Sequence, residues 1–314
     1  MLKYLVILLN DNSVSFCNYE SFKGSRWMDQ SVLYEGILFA MKENLNIQFV
    51  YPNESLPQGY EDIIESIDHV KIKPLLQSDG ADIVVVDEWS VLAKTSIEVP
   101  VVMRTTWQGL FQNYTMLYKA LEQTSRVNVV ITDLEKFSDR MAPKYKKVLE
   151  DLAGKIERIY RDGDSPQLNL LSDRMMLKQM NNCGAGDEVI TLAPDGSFYV
   201  CPAFYYADER VCVGNVEDGL NVPNPQLYKL DYAPICRQCD AWHCRRCVWL
   251  NKVTTREVNT PSHELCVVAH LERNASRQLL LNIRQHGQFL PEHEDIKEID
   301  YLDPFEKAKQ WKKN

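Results

Sequence analysis

The chain has 314 residues, enough for one large core or two modest ones. Its composition, 45% hydrophobic and 25% charged, is that of a soluble globular protein. A net charge of −9 argues against a duplex nucleic-acid binder, and no apolar run approaches the ~20 residues of a membrane span, so neither nucleic acid nor membrane is an expected partner.

The first nine residues, Met1 to Leu9, have the hydropathy of a signal peptide. The run is short, and Asn10-Asp11-Asn12 follows at once with no small-residue cleavage site. It reads as a first core strand over 3–9, and the protein as cytoplasmic. A helix follows over 28–43, with Val32, Leu33, Leu38 and Met41 on or near one stripe. Short continuous Val/Ile runs predict strands at 47–51, 82–87, 99–103, 127–132 and 156–160, as expected of parallel strands buried on both faces. Between them, helices are predicted over 108–124 and 134–153, the second opened by a capping box of Thr132 and Glu135. Alternating strands and helices imply an α/β fold, either a partial (β/α) barrel or an open parallel sheet.

Residues 161–168 read as a linker and 169–181 as a short helix. Ala193-Pro194-Asp195-Gly196 is a turn between VITL and SFYV, a hairpin in which Gly196 supplies a positive-φ position. A closing helix is expected over 267–285. From Leu290 the tail is acidic, then basic, and reads as surface. The expected division is an α/β domain over 1–168, a cysteine-rich metal-binding domain over 169–285 and a tail over 286–314.

Eight of the nine cysteines fall between Cys183 and Cys266. Cys183 is followed by twelve residues, Gly196, four residues and Cys201; then comes Cys212. Cys236, Cys239, Cys244 and Cys247 form C-x2-C-x4-C-x2-C, and Cys266 stands last. A two-residue gap lets a tight turn aim both sulfurs at one centre, and clustered cysteines in a reducing compartment favour metal over disulfides. Iron–sulfur clusters lead this reading; structural zinc takes the same ligands, and some cysteines can be merely buried. For Cys212 the alternative to a ligand is a small buried hydrophobe in the strand VCVG. His243 and His263 lie beside ligand cysteines, with outer roles expected, and Trp242 and Trp249 are expected to shield a cluster from water. Asp87-Glu88 at a strand end reads as a solvated terminus. The chain has no G-x-S-x-G, H-E-x-x-H, Walker loop or G-x-G-x-x-G.

Cys183-Gly184-Ala185-Gly186, the Cys–Gly196–Cys201 spacing, Cys201-Pro202 and the later four-cysteine run resemble the SPASM domain of radical SAM peptide-modifying enzymes. The inner gaps of the run, four and two residues, are each one shorter than the family's five and three. The resemblance spans roughly residues 180–285. It implies two 4Fe-4S clusters. Cys236, Cys239, Cys244 and Cys266 would hold one; Cys183, Cys201 and Cys247 would hold three corners of the other, with Cys212 a natural fourth ligand. Radical SAM enzymes carry C-x3-C-x2-C after the first strand. Here Ser13 to Glu20 resembles that motif with Ser13 and Glu20 in cysteine positions and only Cys17 kept. One thiolate cannot hold that cluster, so no S-adenosylmethionine use by this chain is expected. The whole resembles the CXXX repeat peptide maturases. That resemblance implies an iron–sulfur accessory protein for a ribosomally made cysteine-repeat precursor peptide, acting with a partner radical SAM enzyme. The rival reading is a zinc-ribbon-like binding module on an α/β domain without redox function.

Overall fold

The computed structural model describes residues 2–207 and 211–297. The basic end of the tail and the second half of its acidic stretch therefore lie outside the described residues. In chain order the main elements are β1 (Tyr4–Leu8), α1 (Gln30–Lys42), β2 (Asn46–Val50), α2 (Tyr60–Ile64), β3 (His69–Pro74), β4 (Ile83–Val86) and α3 (Trp89–Lys94). Then come β5 (Val101–Thr105), α4 (Trp107–Asn113), α5 (Leu117–Gln123), β6 (Arg126–Ile131), α6 (Ala142–Arg161), β7 (Gln167–Leu168) and α7 (Ser172–Met176). The cysteine-rich part holds β8 (Val189–Leu192), β9 (Phe198–Tyr199), α8 (Pro202–Ala207), the small ribbon β10 (Gly214–Asn215) and β11 (Gly219–Leu220), α9 (Val248–Thr255) and α10 (His263–Arg284). The fold is α/β, and its strands are mostly parallel.

Two compact units divide the chain, Met1–Val85 with Cys183–Ala233, and Val86–Asn182 with Pro234–Asn314. In the first, the strands run in the order β4-β3-β2-β1-β8-β9. β1 lies between β2 and β8, parallel to both, and its Leu5, Ile7 and Leu8 are fully buried, which is why this strand is an unbroken apolar run. β8 and β9 form the expected hairpin, pairing Thr191 with Tyr199 and Leu192 with Phe198. Gly196 turns it at φ +80, where a side chain would meet only Val32 at 3.7 Å. The glycine is needed for its backbone angle, since the space is open.

In the second unit β5, β6 and β7 are parallel, and α10 packs on α6. The strand expected at 156–160 is instead the last turns of α6. Val148, Leu149, Leu152, Ile156 and Ile159 continue one helical stripe, and nothing between them stops the helix. The helix expected over 134–153 begins later, at Ala142, with Pro143 in its first turn; two 3-10 turns, Leu134–Lys136 and Asp139–Met141, precede it. No capping box forms, because the Thr132 hydroxyl donates to the Thr105 carbonyl across the sheet at 3.3 Å. The expected helix 108–124 is broken into α4, a 3-10 turn and α5, and 169–181 is helical only over Ser172–Met176. Gln167–Leu168, within the expected linker, pairs as β7. Among the described residues no helix is long and apolar enough to cross a membrane.

Candidate metal centre

In the first unit, Cys183 is exposed at the start of a turn in which the amides of Asp187, Glu188 and Val189 all donate to the Gly184 carbonyl. Gly184 (φ +67) and Gly186 (φ +79) turn the chain there, and a Cβ on Gly186 would sit 2.6 Å from the Tyr228 ring. Cys201 is half-buried immediately before α8. Cys212 is exposed, so it is not the buried core thiol that VCVG suggests. The next residue, Val213, donates its N–H to the Phe198 carbonyl at 2.7 Å.

The second unit carries Cys236, Cys239, Cys244, Cys247 and Cys266. Cys236 opens a 3-10 turn whose Cys239 amide returns to the Cys236 carbonyl at 3.0 Å. The short second gap has a visible consequence: Arg246, between Cys244 and Cys247, adopts φ +46, a left-handed conformation costly for a non-glycine residue. Three sulfurs accept backbone N–H groups. Ala241 N–H donates to Cys239 Sγ at 3.4 Å, Leu250 N–H to Cys247 Sγ at 3.5 Å, and the Arg246 amide to Cys244. Such donors favour the thiolate and tune a metal–sulfur centre. Cys266 lies in the first turn of α10, which is capped by the Ser262 hydroxyl accepting from Leu265 N–H at 3.5 Å.

Burial pushes the Cys236 thiol up to about 11, against the pull of Arg246, and the Cys244 thiol up to about 12; it raises Cys239 as well. Cys244 is also raised by the neighbouring Cys236 and Cys239, so these three thiols are close enough to feel one another's charge. Among the described residues, no group of three or more His, Cys, Asp or Glu side chains could hold a metal ion as they stand. The donor chemistry still fits a thiophilic centre: deprotonating these sulfurs needs a cation beside them, and loading would release protons. In the metal-free protein at pH 8, iodoacetamide is therefore expected to label Cys183 and Cys212 well before Cys236 and Cys244. Peptide mass mapping reads this, and equal rates would contradict the buried, protonated state.

Around the loop, Asp240 accepts from Arg273 Nε at 2.9 Å and Nη2 at 2.7 Å, and Arg174 Nη2 lies 3.6 Å away. Arg174 also donates to the Asp240 carbonyl at 2.6 Å and lies 4.0 Å over the Trp242 ring. His243 is buried, with its Nε2 3.2 Å from Glu272 Oε2, though not in hydrogen-bond geometry; Glu272 accepts from the Tyr145 hydroxyl. His263 faces Asp139 at 3.3 Å. His270 was missed by sequence reading. Its Nε2 lies 3.3 Å from Cys239 Sγ, and burial drops the ring to about 4, so it is neutral. The available signal was its spacing four residues after Cys266 on one helix face. Asp87, at the end of its strand, is more than half exposed and forms an ion pair with Arg104 at 2.9 Å.

The loop after β1 does not fit a three-thiolate cluster. Ser13 is fully buried, its hydroxyl donating to the Val50 carbonyl at 2.8 Å and accepting from Asn10 N–H at 3.0 Å. Glu20 is exposed, and Cys17 supplies the loop's one thiol. Asp11, by contrast, is buried under the Tyr205 hydroxyl, which donates to it, and accepts from Arg26 N–H at 3.1 Å.

No protein-family model and no curated protein matches the chain. Solved structures do. Native anSMEcpe with bound AdoMet superposes with a TM-score of 0.63 at 13% identity, covering 90% of this chain and 99% of that one. The same protein with bound AdoMet and Cp18Cys peptide gives 0.62 at 14% identity, over 90% and 99%. Streptococcus suis SuiB bound to S-adenosylmethionine gives 0.50 at 13% identity, over 85% and 77%. At such identities the likeness establishes the fold.

Proposed function

We propose that this chain is an iron–sulfur accessory protein in the maturation of a ribosomally made cysteine-repeat peptide, working in the cytoplasm beside a partner radical SAM enzyme. The observation that carries the reading is the Cys236–Cys247 loop, in which three cysteine sulfurs accept backbone N–H groups beside a fourth, buried cysteine. The fold supports it, because structures of the same fold bind AdoMet and, in two of them, a peptide. Cys236, Cys239, Cys244 and Cys266 are the proposed first ligand set; Cys183, Cys201 and Cys212, all in the first unit, are the proposed ligands of a second centre. When bound, such clusters supply one-electron transfer and iron that can meet a peptide thiol. The chain's own residues aim amides at the sulfurs, bury them from water and brace their loop through Asp240. AdoMet bound in the neighbours runs against the expectation that none is used here; that expectation rests on the donor set after β1. Serine and glutamate at 13 and 20 leave no site for three thiolates.

The test is reductive cleavage of S-adenosylmethionine. The anaerobic, cluster-loaded chain with dithionite should release no 5′-deoxyadenosine above background; release is expected only once a partner radical SAM enzyme is added. Multiple turnovers by the chain alone would overturn the accessory role.

A further inference from the structure

Helix α10 meets the cysteine loop through residues on successive turns. Cys266 lies in its first turn, His270 follows four residues later on the same face, and Arg273 three residues after that. Arg273 grips the Asp240 carboxylate at 2.7 and 2.9 Å. His270 reaches the residue before it: its Nε2 lies 3.3 Å from Cys239 Sγ. Two contacts to adjacent loop residues, made from neighbouring turns of one helix, hold the imidazole against the sulfur. His270 is only 6% exposed, so water does not compete for the contact.

The chemistry of the pair decides which partner donates. A free thiol can donate or accept, but a metal-bound thiolate carries no proton and only accepts. The proton between them then belongs to Nε2. The same sulfur takes the Ala241 N–H at 3.4 Å, so Cys239 receives one donor from its own turn and one from a distant helix. The nitrogen is not placed as a second ligand of one shared ion: among the described residues no three His, Cys, Asp or Glu side chains converge on a metal position. A donor held against a cluster sulfur, in surroundings of low dielectric, favours the more negative state of that cluster.

We propose that His270 donates its Nε2–H to the Cys239 sulfur of the loaded protein and thereby raises the potential at which the first cluster accepts an electron. It is a positioning residue: it acts through a ligand and does not itself touch iron. On reduction, one electron supplied by an external donor such as dithionite enters the cluster; no covalent bond forms or breaks, and the imidazole keeps its proton. The inference rests on the proposed cluster held by Cys236, Cys239, Cys244 and Cys266.

The experiment compares the anaerobically reconstituted full-length chain with His270→Leu and His270→Gln, by redox titration followed with EPR. The signal to follow is the one that Cys239→Ala abolishes. Leucine fills the buried site without an N–H, whereas glutamine places an amide N–H near the position of Nε2. In the leucine variant the reduction equilibrium should become at least about tenfold less favourable, a shift of about 59 mV to lower potential for one electron, with iron content unchanged. Glutamine should restore most of that shift. Equal potentials in wild type and the leucine variant, or a glutamine variant shifted as far as leucine, would overturn the donor role. Loss of one cluster's iron from the leucine variant would overturn it too, by making His270 a ligand. A wild-type protein without iron would instead remove the cluster reading, and the inference with it.

Discussion

Cys239→Ala should lose about one cluster's iron, on the order of four atoms per chain, while Cys17→Ala loses none. Cys239 sits where the metal-binding features converge. Its sulfur accepts the Ala241 N–H at 3.4 Å, lies 3.3 Å from His270 Nε2, and is near enough to Cys236 and Cys244 to raise the Cys244 thiol. Alanine removes a thiolate, and the neutral imidazole of His270 beside it is a poorer match for a soft iron–sulfur centre than the sulfur it would stand in for. Cys17 lies in the loop after β1, where Ser13 is bound to backbone and Glu20 is exposed. Iron and visible absorbance measured on both variants, purified in parallel without oxygen, decide the matter. Equal iron in the two would remove the ligand assignment.

Asp240→Ala is expected to destabilise the protein by about 3 kcal/mol, the low end of what breaking a buried ion pair costs. The carboxylate is 24% exposed, which argues for the lower figure. Its partners are not exposed: Arg273 is 2% accessible and Arg174 is buried too. Removing Asp240 leaves two guanidinium groups facing each other without their counter-ion. Arg273 keeps Asn274 at 2.7 Å and the Lys297 carbonyl, and Arg174 keeps the Asp240 carbonyl and the Trp242 face. Those neutral contacts do not replace the lost charge. Because Asp240 is next to Cys239, the same change should also speed metal loss on mild heating. Urea unfolding of wild type and variant reads the first effect; a loss below about 1 kcal/mol would show that the pair contributes little.

The α/β class was legible because β1 and β4 are short, continuous apolar runs and β5 and β6 carry shorter ones, and a strand buried on both faces has no polar side to display. β3 was not legible. Its HVKIKP alternates lysines with apolar residues and ends in proline, although Ile72 and Pro74 are buried. IERIY was misread as a strand because a five-residue window cannot separate a β-branched run from the end of a long amphipathic helix. That β8 returns to pair with β1, Tyr4 against Val189, is a contact across most of the chain, and no local pattern encodes it. For the candidate site, the cysteine spacing pointed to the loop and its turns. The burial that raises Cys236 and Cys244 and the approach of His270 from α10 come from tertiary packing, which spacing does not report.

The most direct test of the central claim is a count of iron, sulfide and zinc per chain after anaerobic purification, taken with a visible spectrum. Near eight irons and eight sulfides, with a brown protein, is the predicted result. Stoichiometric zinc with no visible absorbance would contradict it and leave a structural metal module without a redox role.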